Sequence, residues 1–194
     1  RCNAFCQTCF YHAELNQPGD LTLAQIEKVS RTMPSITDLW LSGGEPTLRR
    51  DLSDVIDLFV ANNGVNRIII PTNGLIKSRV YEVVDRALGN DRRIDLYLNI
   101  ALDGYGENHD RIRCVPGNWE KALQCIESLY PLKEKYKDRF RLNVNTVVCA
   151  ENYTEIEMLS EFMWENFRLD GQYFNIIRGE TLVGEHIKQV PPEI

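Results

Sequence analysis

No stretch of this 194-residue sequence approaches the roughly 18 consecutive apolar residues of a membrane span, and no basic-then-apolar segment opens it. The expectation is a cytoplasmic protein with no membrane partner. Basic runs and Lys/Arg patches interleaved with aromatics are missing too. With 22 basic against 28 acidic residues the net charge is −6, which gives no electrostatic grip on nucleic acid or anionic lipid. A small-molecule or protein substrate fits better. Low-complexity segments, linkers and repeated motifs are absent, so nothing divides the chain, and its 43% apolar content is enough for one substantial core.

The six cysteines are not scarce, and an even number raises the possibility of disulfides. A chain this long with regular helical periodicity does not need stapling, so a reducing compartment is the simpler account. Three of the six fall in the first nine residues, as Cys2-Asn-Ala-Phe-Cys6-Gln-Thr-Cys9. One short loop can wrap these thiolates around a single inorganic centre. An iron–sulfur cubane normally takes four thiolates, so a three-cysteine loop leaves one iron open to a ligand that is not protein.

Beyond this loop, short apolar runs alternate with amphipathic helical stretches from residue 21 to residue 178. Thr22-Leu-Ala-Gln25 reads as a capping box. It opens a helix whose stripe is Leu23, Ile26, Val29 and Met33, closed by Pro34. Strands are expected at 36–41, 67–70, 96–102, 140–148 and 173–177. The intervening helices carry Leu52 to Phe59, Val80 to Ala87, a long face from Trp119 to Leu129, and Ile156 to Met163. Arg67-Ile-Ile-Ile70 has the β-branched character of a buried parallel strand. This is an α/β pattern of repeated βα units, for which a partial or complete (β/α) barrel is the natural closure. The chain opens directly on the cysteine loop and stops at Pro191-Pro192-Glu193-Ile194. The expectation is an excised piece, with a sixth strand upstream of Arg1.

In parallel βα folds the functional groups gather at the carboxyl ends of the strands. Here those ends carry Ser42-Gly43-Gly44-Glu45-Pro46, Pro71-Thr72-Asn73-Gly74, Ala101-Leu102-Asp103-Gly104, and Asn145 with Cys149. Adjacent glycines let a ligand approach the backbone, and Glu45 adds an acceptor suited to an ammonium group. Alone, such a turn is more often ordinary.

The pairing of Cys2, Cys6 and Cys9 with Gly-Gly-Glu-Pro at the end of the next strand resembles the radical S-adenosylmethionine (radical SAM) superfamily. Thr72-Asn73-Gly74, Leu102-Asp103-Gly104 and His109-Asp110-x-x-Arg113 look like the subgroup that often carries a C-terminal SPASM domain with auxiliary clusters. The resemblance implies a (βα)6 partial TIM barrel over residues 1–194, truncated at the N-terminus and at the C-terminus. It implies a [4Fe–4S] cluster on Cys2, Cys6 and Cys9, with S-adenosylmethionine chelating the fourth iron. Gly43, Gly44, Glu45, Pro46, Thr72, Asn73, Asp103, Arg113 and Asn145 would contact that cofactor. Gly43, Gly44 and Glu45 would receive its amino group and Arg113 would pair with its carboxylate. Reductive cleavage would yield a 5′-deoxyadenosyl radical that takes hydrogen from a substrate, a peptide or protein by preference and a small molecule next. An oxygen-sensitive cluster and an electron donor such as flavodoxin or ferredoxin follow from the same resemblance.

Two positions depart from the pattern. Gln7-Thr8 stand between the second and third cysteines where an aromatic is usual. Ala101 replaces a serine that contacts the ribose, a contact for Asn145 or Asn99 to supply. The competing reading is a zinc-stabilised α/β binding module without catalysis, with His12 completing a Cys3His set. Cys114, Cys125 and Cys149 are expected as buried thiols. His109 and Asp110 are expected in a loop, where they either stand exposed or orient Arg113.

Overall fold

A computed structural model describes residues 1–89 and 93–191, so Pro192, Glu193 and Ile194 of the final run lie outside the described residues. Five strands, β1 (Asp38–Trp40), β2 (Arg67–Thr72), β3 (Asp95–Ala101), β4 (Phe140–Val148) and β5 (Gly171–Ile176), form one wholly parallel sheet in the order 1-2-3-4-5. Chain order and spatial order coincide, as a barrel wall requires. Helices α1 (Leu23–Thr32), α2 (Leu52–Asn63), α3 (Lys77–Gly89), α4 (Glu107–Arg113), α5 (Asn118–Ser128), α6 (Tyr130–Tyr136) and α7 (Ile156–Asn166) fill the connections. No helix among the described residues is long and apolar enough to cross a membrane.

Local chemistry sets these limits. The Thr22 hydroxyl accepts from the Gln25 amide while the Gln25 side chain accepts from the Thr22 amide, which is the expected capping box. Gly64, at φ 72°, ends α2 in the left-handed conformation. Ile68, Ile70, Leu96, Leu98, Ile100, Leu142 and Val144 point to one face of the sheet and are buried with Ile56, Val84, Ala122, Ile126 and Met163 of the helices. The alternate residues face the other way, and they are not the continuous apolar run a doubly covered parallel sheet shows. Tyr97, Asn99, Asn143, Asn145, Tyr173 and Asn175 lie there, with Asn143 donating to Asn99 at 3.0 Å and Asn175 to Asn145 at 2.5 Å.

Several expectations are corrected. The face from Trp119 to Leu129 is one helix as expected, α5 with Leu129 as its C-cap, but a further short helix that the pattern did not mark, α6, follows at once with Pro131 in its first turn. His109, Asp110 and Arg113 lie not in a loop but on α4, whose sequence Glu-Asn-His-Asp-Arg-Ile-Arg has no apolar stripe to announce it. Cys114 is exposed, not buried, because it caps α4 at φ 53°; Cys125 and Cys149 are buried as expected. Val29 and Met33 of the α1 stripe are exposed.

Candidate active site

The cysteine loop has no regular structure of its own and is held from outside. Asn16, in the left-handed region at φ 62°, accepts from the Cys2 amide at 2.8 Å and donates to the Cys2 carbonyl at 3.1 Å. Gln7 donates its amide to the Ile112 carbonyl at 2.8 Å and its side chain to the Arg111 carbonyl at 3.0 Å, tying the loop to the end of α4. The polar Gln7 therefore serves as a tether where an aromatic residue was the expectation. On the other side the Glu45 amide donates to the Arg1 carbonyl at 2.7 Å. A Cβ on Gly44 would lie inside the van der Waals envelope of that carbonyl, and Gly43 has φ 132°. Gly44 is thus demanded by the docking of the cysteine loop on the turn after β1, and Gly43 by the backbone conformation of the turn itself.

Glu45 is buried, and its carboxylate is the knot between the ends of β1 and β2. Oε1 accepts from the Thr47 amide (3.1 Å), the Thr47 hydroxyl (2.6 Å) and the Thr72 hydroxyl (2.8 Å), while Oε2 accepts from the Asn73 amide (2.7 Å). Pro46 begins the 3₁₀ turn that carries Thr47. Asn73 in turn donates to the Asn3 side chain at 2.8 Å. Four internal donors make Glu45 a structural acceptor first; Oε2, with one bond, keeps capacity for a second donor.

The opposite wall is the end of β3 with α4. Asp103, fully buried, accepts from Arg113 Nη1 at 2.9 Å and from the Val147 amide at 2.8 Å. Asn152 donates to the Asp103 and Val147 carbonyls, both at 2.8 Å, and accepts from the Cys149 amide at 2.8 Å. Burial opposes the charge on Arg113, but its acidic neighbours, Cys6 and Asp103 foremost, push its pKa above the ordinary arginine value. Burial pushes the Cys6 thiol up to about 11, partly offset by Arg113, and Cys9 is raised for the same reason. Cys6 and Cys9 thus each feel the charges of Cys2 and of Arg113. Asn145 stands apart from this knot on the amide-lined sheet face, its oxygen taken by Asn175.

Arg113 Nε is buried without a partner. An orphaned donor on a buried guanidinium, beside three free thiols, fits an anionic group that docks there. Among the described residues no group of three or more His, Cys, Asp or Glu side chains is gathered closely enough to hold one metal ion. A cluster spreads its thiolates over separate irons, so three cysteines of one loop that do not close on a single point suit it better than they suit tetrahedral zinc. His12 donates from Nδ1 to the Cys9 carbonyl at 3.0 Å. A cleft of about 690 Å³ along β1 and the start of α2 includes Gly43, Gly44 and Glu45 but none of the cysteines, Asp103 or Arg113. It is not where the chemistry converges.

Sequence reasoning missed Asn3, Asn16, Asn118 and Asn152, whose bonds hold the motif residues in place. Their partners Asn73, Cys2 and Asp103 lie 14 to 70 positions away, beyond any local spacing signal.

The match to known proteins spans the same ground. The family model described as the radical SAM superfamily covers residues 1–163. The chain is 35% identical over 133 residues to the pre-heme d1 synthase of Dinoroseobacter shibae, covering 66% of this chain and 31% of that protein. It is 32% identical over 169 residues to the AdoMet-dependent heme synthase of Methanosarcina barkeri (84% and 44%). It is 24% identical over 168 residues to the GTP 3′,8-cyclase of Haemophilus ducreyi (84% and 46%). The chain thus spans less than half the length of these curated relatives. The crystal structure of methylornithine synthase (PylB) superposes over 96% of this chain and 54% of that one with a TM-score of 0.68; at 16% identity it speaks for the shared fold. The partial barrel, the cysteine loop docked on a glycine–acid turn and the family match agree: this chain belongs to the radical SAM superfamily of enzymes, which use a [4Fe–4S] cluster and S-adenosylmethionine.

Proposed function

We propose that Cys2, Cys6 and Cys9 are the protein ligands of the cluster and that the volume between the turn after β1 and the Asp103–Arg113 pair receives S-adenosylmethionine. The observation that carries this reading is the orphaned, buried Nε of Arg113 beside the three free thiols. When bound, the cluster supplies the electron that cleaves the sulfonium cofactor. The chain's own residues do the positioning. Arg113, oriented by Asp103 at 2.9 Å, presents its Nε edge to the cofactor carboxylate as a charge-assisted donor. The backbone around Gly43 and the spare lone pair on Glu45 Oε2 accept from the amino group, with Pro46, Thr72 and Asn73 fixing that wall. Asn145 or Asn99 serves the ribose in place of the serine that Ala101 replaces.

The substrate lies against the sheet face lined by Asn99, Asn143, Asn145, Tyr173 and Asn175, where amide and phenol groups suit an oxygen-rich polar molecule. The names of the relatives, heme synthases and a GTP cyclase, favour a small-molecule substrate over the peptide or protein expected from the sequence. A one-electron donor of the flavodoxin or ferredoxin kind completes the system.

The test is anaerobic reconstitution with iron and sulfide, dithionite reduction and measurement of 5′-deoxyadenosine. The wild-type protein is expected to show the thiolate-to-iron charge-transfer band and to form product. Cys6→Ala is expected to lose both. Undiminished product from that variant refutes the ligand assignment.

A further inference from the structure

Two fully buried side chains, His109 and Asn118, are not used by the reading above. The Asp103 amide donates to His109 Nδ1 at 2.9 Å, so Nδ1 offers its lone pair and the proton of the neutral ring sits on Nε2. Asn118 donates its side-chain amide to the Asn73 carbonyl at 3.2 Å, which leaves its Oδ1 as a free acceptor. His109 Nε2 and Asn118 Oδ1 are both buried without a hydrogen-bond partner, and the Asn118 side chain is close enough to influence the imidazole. One orphan is a donor and its neighbour an acceptor. Asp110, on the same helix as His109, fixes their approach: its two oxygens accept from the amides of Gly117 (2.5 Å) and Trp119 (2.7 Å), on either side of Asn118.

We propose that His109 and Asn118 are positioning residues that join the Asn73 turn to the Asp103–Arg113 pair, holding the two walls of the cofactor pocket at one spacing, with His109 in its Nε2–H form. Hydrogen bonds run from Asn3 through Asn73 to Asn118, and from His109 through Asp103 to Arg113; the two runs approach each other where the unpaired Asn118 acceptor neighbours the unpaired His109 donor. His109 and Arg113 are four residues apart on α4 and share a face, so a shift of the imidazole is passed to the guanidinium. This inference rests on the assignment of that pocket to S-adenosylmethionine.

The experiment measures equilibrium binding of S-adenosylmethionine to the cluster-loaded protein, with iron and sulfide counted in each sample. His109→Leu and Asn118→Leu are each expected to weaken binding about tenfold at unchanged iron content, the worth of one well-made buried hydrogen bond. His109→Asn, which restores an acceptor for the Asp103 amide, is expected to come within about threefold of wild type. Wild-type affinity in both leucine variants overturns the proposal. Arg113→Gln separates the two levels: loss of binding there with no effect of the leucine variants leaves the pocket assignment standing and the positioning role refuted. Wild-type affinity in Arg113→Gln sinks the assignment itself. Should a leucine variant not fold, long-range ¹H–¹⁵N NMR of the wild-type protein decides. Protonated Nε2 with bare Nδ1 at neutral pH is expected, and an Nδ1–H tautomer or an imidazolium overturns the proposal.

Discussion

Replacing Glu45 with Gln changes one oxygen to an amide nitrogen and removes the charge at almost constant volume, so it isolates what the carboxylate does. Two backbone amides converge on it, Thr47 N–H on Oε1 and Asn73 N–H on Oε2, and glutamine has only one oxygen to offer them. Whichever way the new amide turns, one backbone N–H then faces an NH₂ group in a buried site and is left unpaired. That costs about 1–3 kcal/mol. The Thr47 and Thr72 hydroxyls can rotate, but bonds to a neutral acceptor are weaker than bonds to a carboxylate by about 1 kcal/mol each. Relief of the burial cost of the charge works the other way. The net expectation is about 2–4 kcal/mol, a large share of a domain's typical stability. With a urea slope of about 2 kcal/mol per molar, the unfolding midpoint of the cluster-free protein should fall by roughly 1–2 M. Thr72→Val removes one hydroxyl donor and the acceptor of the Gly74 amide but leaves the Thr47 and Asn73 amides paired, and should lower the midpoint by no more than Glu45→Gln does. A Glu45→Gln midpoint within about 0.2 M of wild type would refute the claim that Glu45 is the knot between the two strand ends.

Gly44→Ala places a methyl group against the Arg1 carbonyl, and the backbone there cannot give way as a flexible side chain would. The variant should keep its folded far-ultraviolet spectrum yet bind well under half the wild-type iron, because the clash lifts the cysteine loop from its seat. A normal iron count would show that the docking is dispensable. Burial, helped by Arg113 and opposed by Asp103, holds the His109 pKa at about 4 against an ordinary 6.5. Above pH 6.5 the ring is neutral folded or unfolded. Between 6.5 and 4 only the unfolded chain takes up the proton, so stability falls with pH by up to about 3 kcal/mol. His109→Asn should flatten that acid limb, read as the difference in urea midpoint between pH 7 and pH 4.5. Parallel limbs in the two proteins would deny the ring its neutral state.

Where structure follows from neighbours in sequence, the sequence was a good guide. The capping box at Thr22, the β-branched run of β2 and Gly64 behind α2 depend on contacts within a few residues, and each appears where the periodicity places it. The end of α5 was equally local, since the apolar face stops at Leu129 and Pro131 follows two residues on. Helix α4 had no such signal: its seven residues are mostly charged, and what makes it a helix is the burial of His109 and Ile112 against distant elements. The candidate site divides the same way. Cysteines, Gly43, Gly44 and Glu45 form local motifs, whereas the Asn118–Asn73 and Asn152–Asp103 contacts bridge 45 and 49 positions. Any asparagine can hydrogen-bond, so its type says nothing of where its partner lies until the fold brings the two together.

The charges at the site bear on how this fold stands before it is loaded. A buried guanidinium without a counter-ion would cost several kcal/mol, and Asp103 supplies that counter-ion from the next element. Cys6 meanwhile holds its proton, because burial raises its pKa to about 11. Burial thus favours the neutral Cys6 thiol beside the Asp103–Arg113 pair. Iron must displace thiol protons to bind, so loading exchanges protons for metal and concentrates negative charge beside Arg113. The Nε edge that Asp103 leaves unused is, on the proposed assignment, the site's remaining means of holding a second anion. On this argument the Asp103–Arg113 pair is matched to its task by being incomplete: a bidentate pair would stabilise the empty protein more and bind the carboxylate of the cofactor less.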